Sequence, residues 1–273
     1  MTGINRIANK FAELAGAGKK GLITYLVAGD PDLETTRLLT GAIVEAGADL
    51  IELGIPFSDP VADGPVIQMA SCRALKKGIG VPRILELCTQ VRNCTEVPLI
   101  LMTYYNPVLQ YGLERFAREA ATAGVDGLIV PDLPFEEAAP LLAVTDSCGL
   151  ALIPLVAPTT SVRRLKKFSP SARGFVYGVS VTGVTGARER IHTDLDAFSM
   201  RVRGEIKLPF VIGFGIAGPR QAAAAAPFCD AVVVGSAIVG MVTEGGISAI
   251  PQVTGFVRHL KAALDDSTVL THK

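Results

Sequence analysis

The sequence predicts an α/β fold in which eight parallel strands, each followed by a helix, close into a single (β/α)8 TIM barrel. Short apolar runs alternate with amphipathic segments of helical length along all 273 residues. The runs are rich in Val, Ile and Leu and lack polar alternation, which is typical of strands buried on both faces. An open doubly wound sheet is the alternative, but no GxGxxG motif follows the first run.

The strand and helix predictions follow the chain in order. The predicted strands are Leu22–Ala28, Leu50–Leu53, Leu99–Met102, Leu128–Val130, Ala151–Leu155, Phe175–Gly178, Phe210–Ile212 and Ala231–Val234. The predicted helices are Leu33–Glu45, Arg83–Arg92, Leu113–Ala121, Glu136–Ser147, Val162–Phe168, Asp194–Val202 and Pro251–Leu264. Gly47 and Gly124 stand where a helix ends on a glycine cap.

The ends of the chain and an internal repeat complete the fold prediction. Ile4–Leu14 is expected to be a helix that covers the bottom of the barrel, and a short extra helix is expected after strand eight. An Ala-Gly-Xaa-Asp pattern ends at both Asp49 and Asp126, and Cys229-Asp230 repeats its last position before the final strand. Residues 1–273 are predicted to form one domain, with a disordered tail at about 267–273.

Composition excludes several classes of protein. The chain has 26 basic and 26 acidic residues, so it lacks the basic surplus that a nucleic-acid binder needs. Its 49% hydrophobic content excludes a disordered chain. The longest apolar stretch, Ala231–Val242, is too short to span a bilayer. With five cysteines, no CxxC spacing and no signal-peptide pattern, the sequence predicts a cytoplasmic protein with reduced thiols.

Glu52 is the strongest candidate for a catalytic residue. It interrupts an apolar predicted strand, and alternation points it away from the face that Ile51 and Leu53 share. Burial disfavours the charged carboxylate and should raise its pKa towards neutrality. A side chain with such a pKa can both give and take a proton. The structural alternative is a Glu paired with a buried Arg or amide network, but no Arg is evident at a strand end.

A second carboxylate is expected in the loop that follows. Asp63 lies in a Pro- and Gly-rich segment eleven residues after Glu52, so it should reach the same mouth of the barrel. Asp and Gly are ordinary turn residues, and a lone Asp here would indicate a turn. Asp59 competes for the same role, and spacing does not separate the two.

The late loops resemble a phosphate site. Gly213-Phe214-Gly215 follows strand seven and Gly235-Ser236 follows strand eight, the loops from which many barrels build a phosphate grip. Glycines let backbone N–H groups approach the oxygens, and Ser236 adds a hydroxyl. The long segment from Ser180 to about Asp194 is predicted to be a lid that excludes water, although tight turns and a loop without function are the plain alternatives.

Other reaction types lack their residues. No lysine falls at the C-terminal end of a predicted strand, which disfavours a Schiff base. The histidines do not cluster with carboxylates at metal-ligand spacing, so no metal is predicted. What remains is two carboxylates, a phosphate cradle and four aromatic residues at strand ends: Tyr25, Tyr104, Tyr177 and Phe214. These indicate acid–base chemistry on a phosphorylated substrate with an apolar part.

At these residues the chain resembles the tryptophan synthase alpha-chain family from its first strand to its last. The most specific stretch is Glu52-Leu53-Gly54-Ile55-Pro56-Phe57-Ser58-Asp59-Pro60. The other matching stretches are Ala28-Gly29-Asp30-Pro31, Ala62-Asp63-Gly64-Pro65, Val130-Pro131-Asp132-Leu133-Pro134, Gly183-Val184-Thr185-Gly186, Gly213-Phe214-Gly215-Ile216 and Gly235-Ser236-Ala237-Ile238-Val239.

The resemblance implies a lyase that cleaves indole-3-glycerol phosphate to indole and glyceraldehyde 3-phosphate. It implies that Glu52 protonates indole C3 and takes the proton of the glycerol hydroxyl, and that Asp63 stabilises positive charge on the indole nitrogen. By the same resemblance the phosphate would be held by Gly186, Gly215, Gly235 and Ser236. The indole pocket would be lined by Tyr25, Met102, Ile129 and Phe214, with Tyr177 near the Glu and Thr185 on the lid.

The resemblance also implies a partner. The family works as an αββα complex with a beta chain, which binds pyridoxal phosphate, so no cofactor is expected in this barrel. Two other functions stay open at the level of the sequence. A phosphosugar isomerase or epimerase would need a metal cluster or a strand-end His or Lys, and neither is visible. A non-catalytic subunit is disfavoured because Glu52 and Asp63 are both present.

Overall fold

All strands of the protein lie in one parallel sheet, in a computed structural model that describes residues 1–179, 195–213 and 215–270. The strands are β1 Gly21–Val27, β2 Leu50–Gly54, β3 Leu99–Met102, β4 Gly127–Ile129, β5 Ala151–Leu152, β6 Leu155–Val156, β7 Val176–Val179, β8 Phe210–Gly213 and β9 Ala231–Val234. Their order in the sheet is β5-β4-β3-β2-β1-β9-β8-β7-β6.

The two ends of this sheet meet, and the sheet closes into a barrel. Only Ile153 and Pro154 separate β5 from β6. The N–H of Ile153 donates to the Leu128 carbonyl of β4 (2.9 Å), and the Pro154 carbonyl accepts from Tyr177 N–H of β7 (2.9 Å). The two pieces therefore act as one strand, interrupted where Pro154 has no N–H to donate. The predicted eight-stranded barrel is confirmed.

Helices follow the strands and cover the barrel. They are α1 Gly3–Gly16, α2 Leu33–Glu45, α3 Pro65–Lys76, α4 Val81–Arg92, α5 Tyr105–Tyr111, α6 Leu113–Thr122, α7 Ala139–Ser147, α8 Val162–Phe168, α9 Leu195–Glu205, α10 Pro219–Ala225, α11 Ser236–Gly245 and α12 Ile250–Leu270. The N-terminal helix and the short helix after the last strand are both present, as α1 and α11.

Several strand and helix ends differ from the sequence prediction by one to three residues, and the larger differences concern four helices. Helices α3 and α5 were not predicted, because the Pro- and Gly-rich segments around them indicate loops. The helix predicted from Glu136 begins as a 3-10 turn, and its α-helical part, α7, starts at Ala139. Helix α12 continues through Leu270, whereas the predicted last helix ended at Leu264.

Successive side chains of a strand point to opposite faces of the sheet, and this divides the core into two parts. Leu50 of β2 packs inside the barrel, whereas Ile51 and Leu53 pack between the barrel and its helices. By the same parity Glu52 and Gly54 face the interior. Ile7 and Phe11 of α1 belong to the interior cluster, so α1 closes the barrel at the end where the strands begin.

The repeated aspartates hold neighbouring strands in register at that same end. Each accepts a hydrogen bond from the first part of the preceding strand: Leu22 N–H to Asp49 (2.8 Å), Leu99 N–H to Asp126 (2.8 Å) and Phe210 N–H to Asp230 (2.7 Å). Each carboxylate also pairs with a cation from a helix: Lys261 (2.7 Å), Arg92 (2.6 Å) and Arg203 (2.9 Å), respectively. Each copy of the sequence repeat therefore places an aspartate that joins two neighbouring strands.

We expect Asp126→Ala to lower the free energy of unfolding by about 3 kcal/mol, because it removes the buried carboxylate that two mostly buried guanidinium groups share. These are Arg6 and Arg92, both bonded to the fully buried Asp126 carboxylate. Urea denaturation measures the loss. Glu34→Ala, which breaks the exposed pair with Arg37, is the control and should cost under about 0.5 kcal/mol. Equal small losses in both variants would contradict this role for Asp126.

Candidate active site

Glu52 lies inside the barrel, in the middle of β2. It is 1% exposed, and its neighbours across the sheet are Tyr25 of β1 and Ile100 of β3. Its Oε2 atom is buried and accepts no hydrogen bond from any described residue. Burial, together with the smaller effect of the nearby charge of Asp63, raises the pKa of Glu52 to about 8. Glu52 is therefore a carboxyl group that is largely protonated near neutral pH.

Asp63 is held by the loop between β2 and α3. Its N–H donates to the Pro60 carbonyl (3.0 Å), and its carboxylate bonds to the Tyr104 hydroxyl. That hydroxyl accepts from Ala62 N–H (3.0 Å), so its own proton is available to Asp63. The Phe57 ring stacks on Tyr104 with centroids 5.2 Å apart and fixes the ring that carries this hydroxyl.

The environment separates Asp63 from Asp59, which spacing left open. Burial raises the pKa of Asp63 to about 6, although the hydrogen bond from Tyr104 opposes this shift. Asp59 is exposed, and its carboxylate bonds to the adjacent Ser58 hydroxyl (2.5 Å). Asp63 is the one of the two with a half-buried side chain and an electrostatic effect on Glu52.

Two interior tyrosines flank the carboxylates. Tyr25 and Tyr177 are buried, and burial together with the charges of Glu52 and Asp63 raises the pKa of both hydroxyls well above the usual value. Both hydroxyls therefore stay protonated at neutral pH. Their position depends on glycines: a Cβ at Gly54 would lie 2.1 Å from the Tyr25 oxygen, and one at Gly213 2.2 Å from the Tyr177 oxygen.

Sequence reasoning missed the function of these two glycines. Gly54 and Gly213 end β2 and β8 on positions that face the interior, where larger residues would block the tyrosine hydroxyls. The sequence did contain the signal, because a glycine at an inward-facing position of a strand often lets another group come close to the backbone.

Apolar side chains complete the wall of the mouth. Met102 ends β3 and Ile129 ends β4, and both pack in the interior cluster with Tyr25 and Tyr177. The buried Glu52 therefore lies on an interior face whose other side chains are aromatic and aliphatic. Such surroundings suit a flat apolar ring.

Backbone N–H groups face the mouth where α11 begins. Gly235 follows the last strand and caps α11, whose first residue is Ser236. Both residues are half-buried, and no side chain caps the helix. The first N–H groups of a helix have no acceptor within it, and the helix dipole favours an anion there. Gly215, after β8, has φ +80, a conformation that a glycine adopts without strain.

Three predicted site residues lie outside the described residues: Thr185, Gly186 and Phe214. The same holds for the whole of the predicted lid, residues 180–194. Among the residues that the structure describes, no group of three His, Cys, Asp or Glu side chains could hold a metal ion. None of the described helices is both long enough and apolar enough to cross a membrane.

The fold and the site define a (β/α)8-barrel enzyme with acid–base groups at its mouth, and comparisons with known proteins identify its family. A family model described as tryptophan synthase alpha chain matches residues 11–265. The tryptophan synthase alpha chain of Citrifermentans bemidjiense is 52% identical over 259 residues, covering 94% of this chain and 97% of the relative. That of Thermoanaerobacter sp. strain X514 is 47% identical, covering 96% and 100%.

A solved structure agrees with these relatives. The crystal structure of tryptophan synthase subunit alpha from Legionella pneumophila superposes with a TM-score of 0.88 at 38% identity, covering 97% of this chain and 99% of the other. The chain belongs to the tryptophan synthase alpha chain family, which confirms the resemblance found in the sequence. It is a lyase that cleaves indole-3-glycerol phosphate in tryptophan biosynthesis.

We expect Glu52→Gln to change how stability depends on pH. Because folding raises the pKa of Glu52 from 4.5 to about 8, the folded protein holds this proton more tightly than the unfolded chain. The wild type therefore loses stability as pH rises through this range, and the permanently neutral glutamine does not. The stability of the variant relative to the wild type should increase between pH 5 and 8, as measured by urea denaturation. A difference that stays constant over this range would contradict the buried, uncompensated position of Glu52.

Proposed function

We propose that Glu52 and Asp63 carry out the cleavage of indole-3-glycerol phosphate to indole and glyceraldehyde 3-phosphate, and that the amides at Gly235–Ser236 hold the phosphate. One observation carries the proposal: Glu52, which is subject to the charge of Asp63, has a pKa of about 8, and Asp63 has a pKa of about 6. Around pH 7 the first is mostly an acid and the second mostly an anion, so they are suited to different tasks.

The proposed reaction needs no lysine and no metal because the indole ring accepts the electrons. Glu52 protonates C3 of the ring, which places positive charge on the nitrogen, and the Asp63 carboxylate stabilises that charge. The Glu52 carboxylate then removes the proton of the glycerol hydroxyl next to the breaking bond. The C–O bond becomes a carbonyl, the C–C bond electrons restore the aromatic ring, and Glu52 is protonated again.

The substrate contacts follow from the two ends of this molecule. The indole end takes the apolar wall, where Tyr25, Met102, Ile129 and Tyr177 meet the carboxylates. Tyr104 acts through Asp63, which it holds by a hydrogen bond. The phosphate end takes Ser236 and the glycine amides at Gly215 and Gly235, where a helix begins. Phe214 at the indole end, and Thr185 and Gly186 at the lid, remain predictions from the sequence.

We expect kcat/KM for indole formation to follow a bell-shaped pH profile. Glu52 must begin protonated, so the rate should fall as pH rises through about 8. Asp63 must be ionised, so the rate should also fall as pH drops below about 6.

Glu52→Gln should lower kcat by at least about a thousandfold, and any rate that remains should no longer fall at alkaline pH. Asp63→Asn should lower it by about a hundredfold.

Asp59→Asn is the matched control, because it changes an exposed carboxylate of the same loop and should retain most of the activity. If Asp59→Asn were the damaging variant and Asp63→Asn the mild one, the assignment of the second carboxylate would be wrong. Retention of substantial turnover by Glu52→Gln would exclude Glu52 as the acid–base group.

The proposal extends to the partner. As a tryptophan synthase alpha chain, this protein pairs with a beta chain in an αββα complex. Pyridoxal phosphate belongs to that partner, and this chain uses no cofactor of its own. The chain forms one domain and works in the cytoplasm. Support comes from apolar side chains exposed around the mouth: Val61 in the loop that carries Asp63 is 83% exposed, and Leu109 of α5 is 50% exposed. Exposed apolar groups beside a functional site are typical of a docking surface.

Val61→Asp should weaken binding of the beta chain by about tenfold, because it would bury a charge in an apolar contact. Isothermal titration of the variant with the purified beta chain measures this change. Met200→Asp on α9 is the control, since Met200 is also exposed (61%) but lies on a helix after β7 rather than in the Asp63 loop. Equal affinities of wild type and Val61→Asp would reject this part of the surface.

A further inference from the structure

Arg73 joins three elements of the barrel mouth. It lies on α3, and its guanidinium group makes two parallel bonds to the carboxylate of Asp30, Nε to Oδ1 (2.8 Å) and Nη2 to Oδ2 (2.8 Å). Asp30 is buried in the turn after β1. The same Nη2 also donates to the hydroxyl of Thr243 on α11 (2.6 Å). One side chain thus links α3, the end of β1 and α11.

The direction of each bond is settled by the donors available. The Thr243 hydroxyl donates its single proton to the Val239 carbonyl, one turn earlier on α11 (2.9 Å), so towards Arg73 it acts as an acceptor. The paired, planar contact with Asp30 holds the guanidinium in one orientation, which a lysine could not reproduce. Lys77 adds a bond from the end of α3 to the Pro31 carbonyl (2.6 Å), next to Asp30.

The two helices that Arg73 connects carry different parts of the proposed site. Helix α3 begins two residues after Asp63, and α11 begins at Ser236, next to the proposed phosphate amides. Arg73 and Thr243 lie seven or eight residues into their helices, roughly 10–12 Å from the helix starts at 1.5 Å per residue. Because a helix moves as a rigid rod over this length, a tie between them fixes their two starting points relative to each other.

We propose that Arg73 is a positioning residue that sets the distance between Asp63 and the phosphate-holding amides by tying α3 to α11 through Thr243. This inference rests on the proposed function. A substrate with an indole ring at one end and a phosphate at the other must fit both points at once. The affinity for a ligand that reaches only one of these two points does not depend on the distance between them. The role of Arg73 therefore differs from general stabilisation and from neutralising the charge of Asp30.

Thr243→Val tests the tie most directly, because it removes the acceptor on α11 and leaves the Arg73–Asp30 pair in place. We expect the KM for indole-3-glycerol phosphate to rise about threefold, and about tenfold in Arg73→Met, with a smaller change in kcat. Binding of glycerol 3-phosphate alone, measured by isothermal titration, should change less than about twofold in Thr243→Val. Arg73→Lys keeps the charge beside Asp30 without the planar fork and should retain most of the KM defect.

Thr122→Val is the matched control. Thr122 is an exposed helical threonine on α6 whose hydroxyl also donates to a carbonyl one turn earlier, that of Arg118 (2.9 Å). Among the described residues, no cation donates a hydrogen bond to it. The KM of Thr122→Val for indole-3-glycerol phosphate should equal that of the wild type. The tie is refuted if Thr243→Val behaves like Thr122→Val, or if glycerol 3-phosphate binding weakens by the same factor as the KM rises.

A separate variant tests the proposed phosphate site on its own. Ser236→Asp places a negative charge at the start of α11, where the helix dipole tolerates it, and should abolish glycerol 3-phosphate binding without unfolding the helix. If Ser236→Asp leaves that binding intact, the phosphate site is wrong, and the inference about Arg73 falls with it. If Ser236→Asp abolishes binding while Thr243→Val leaves the KM unchanged, only the role of Arg73 is wrong.

Discussion

The carboxyl group of Glu52 inside an apolar barrel is the constraint on which the site depends. An unpaired buried carboxylate is costly, so the protein keeps this group protonated around neutral pH rather than supplying a cation. A buried Arg would have stabilised the anion, lowered the pKa and removed the proton that the proposed chemistry needs. The absence of a partner for Oε2 among the described residues is therefore a requirement of the site and not a defect of packing.

The same constraint explains the side chains around Glu52. Asp63 supplies a negative charge that favours the protonated form, and Tyr104 keeps that charge in place through its hydroxyl. Tyr25 and Tyr177 give polar atoms to an otherwise apolar wall without introducing a charge, since their hydroxyls stay protonated. The tyrosines fit because Gly54 and Gly213 offer no Cβ. Charge, polarity and space at this mouth are thus set by different residues.

How much of this the sequence could predict depends on whether the signal is local. The predicted limits of α2 and α8 agree with the structure to the residue, and the start of each helix has a local cause, since Asp32 and Ser161 cap them with side-chain hydrogen bonds. The inward direction of Glu52 followed from the alternation of a single strand. By contrast, α3 begins with Pro65 directly after a Pro- and Gly-rich loop, and its start resembles a continuation of that loop.

Contacts between distant parts of the chain were beyond local patterns. The choice between Asp59 and Asp63 depends on Tyr104, which lies 42 residues after the Ala62 amide that it accepts from. The aspartate repeat was visible in the sequence, but its meaning required the partner strand and the cation from a helix, such as Lys261, which is 212 residues from Asp49. Spacing in the sequence predicts which residues belong to the same strand or helix. Which strands and helices one side chain joins is decided only when the barrel closes.

The ionic contacts at the two ends of the barrel do different work, and their burial shows why. Where the strands begin, Asp126 is fully buried and pairs with guanidinium groups that are mostly buried, so losing the carboxylate leaves two charges that water solvates poorly. Where the strands end, Arg73 is about one-third exposed, and water can solvate it if the contact with Thr243 is lost. A tie of the second kind contributes little to the stability of the fold. It can restrict the relative position of two helices and still allow them to move when ligand is absent, which suits the end of the barrel that must admit a substrate.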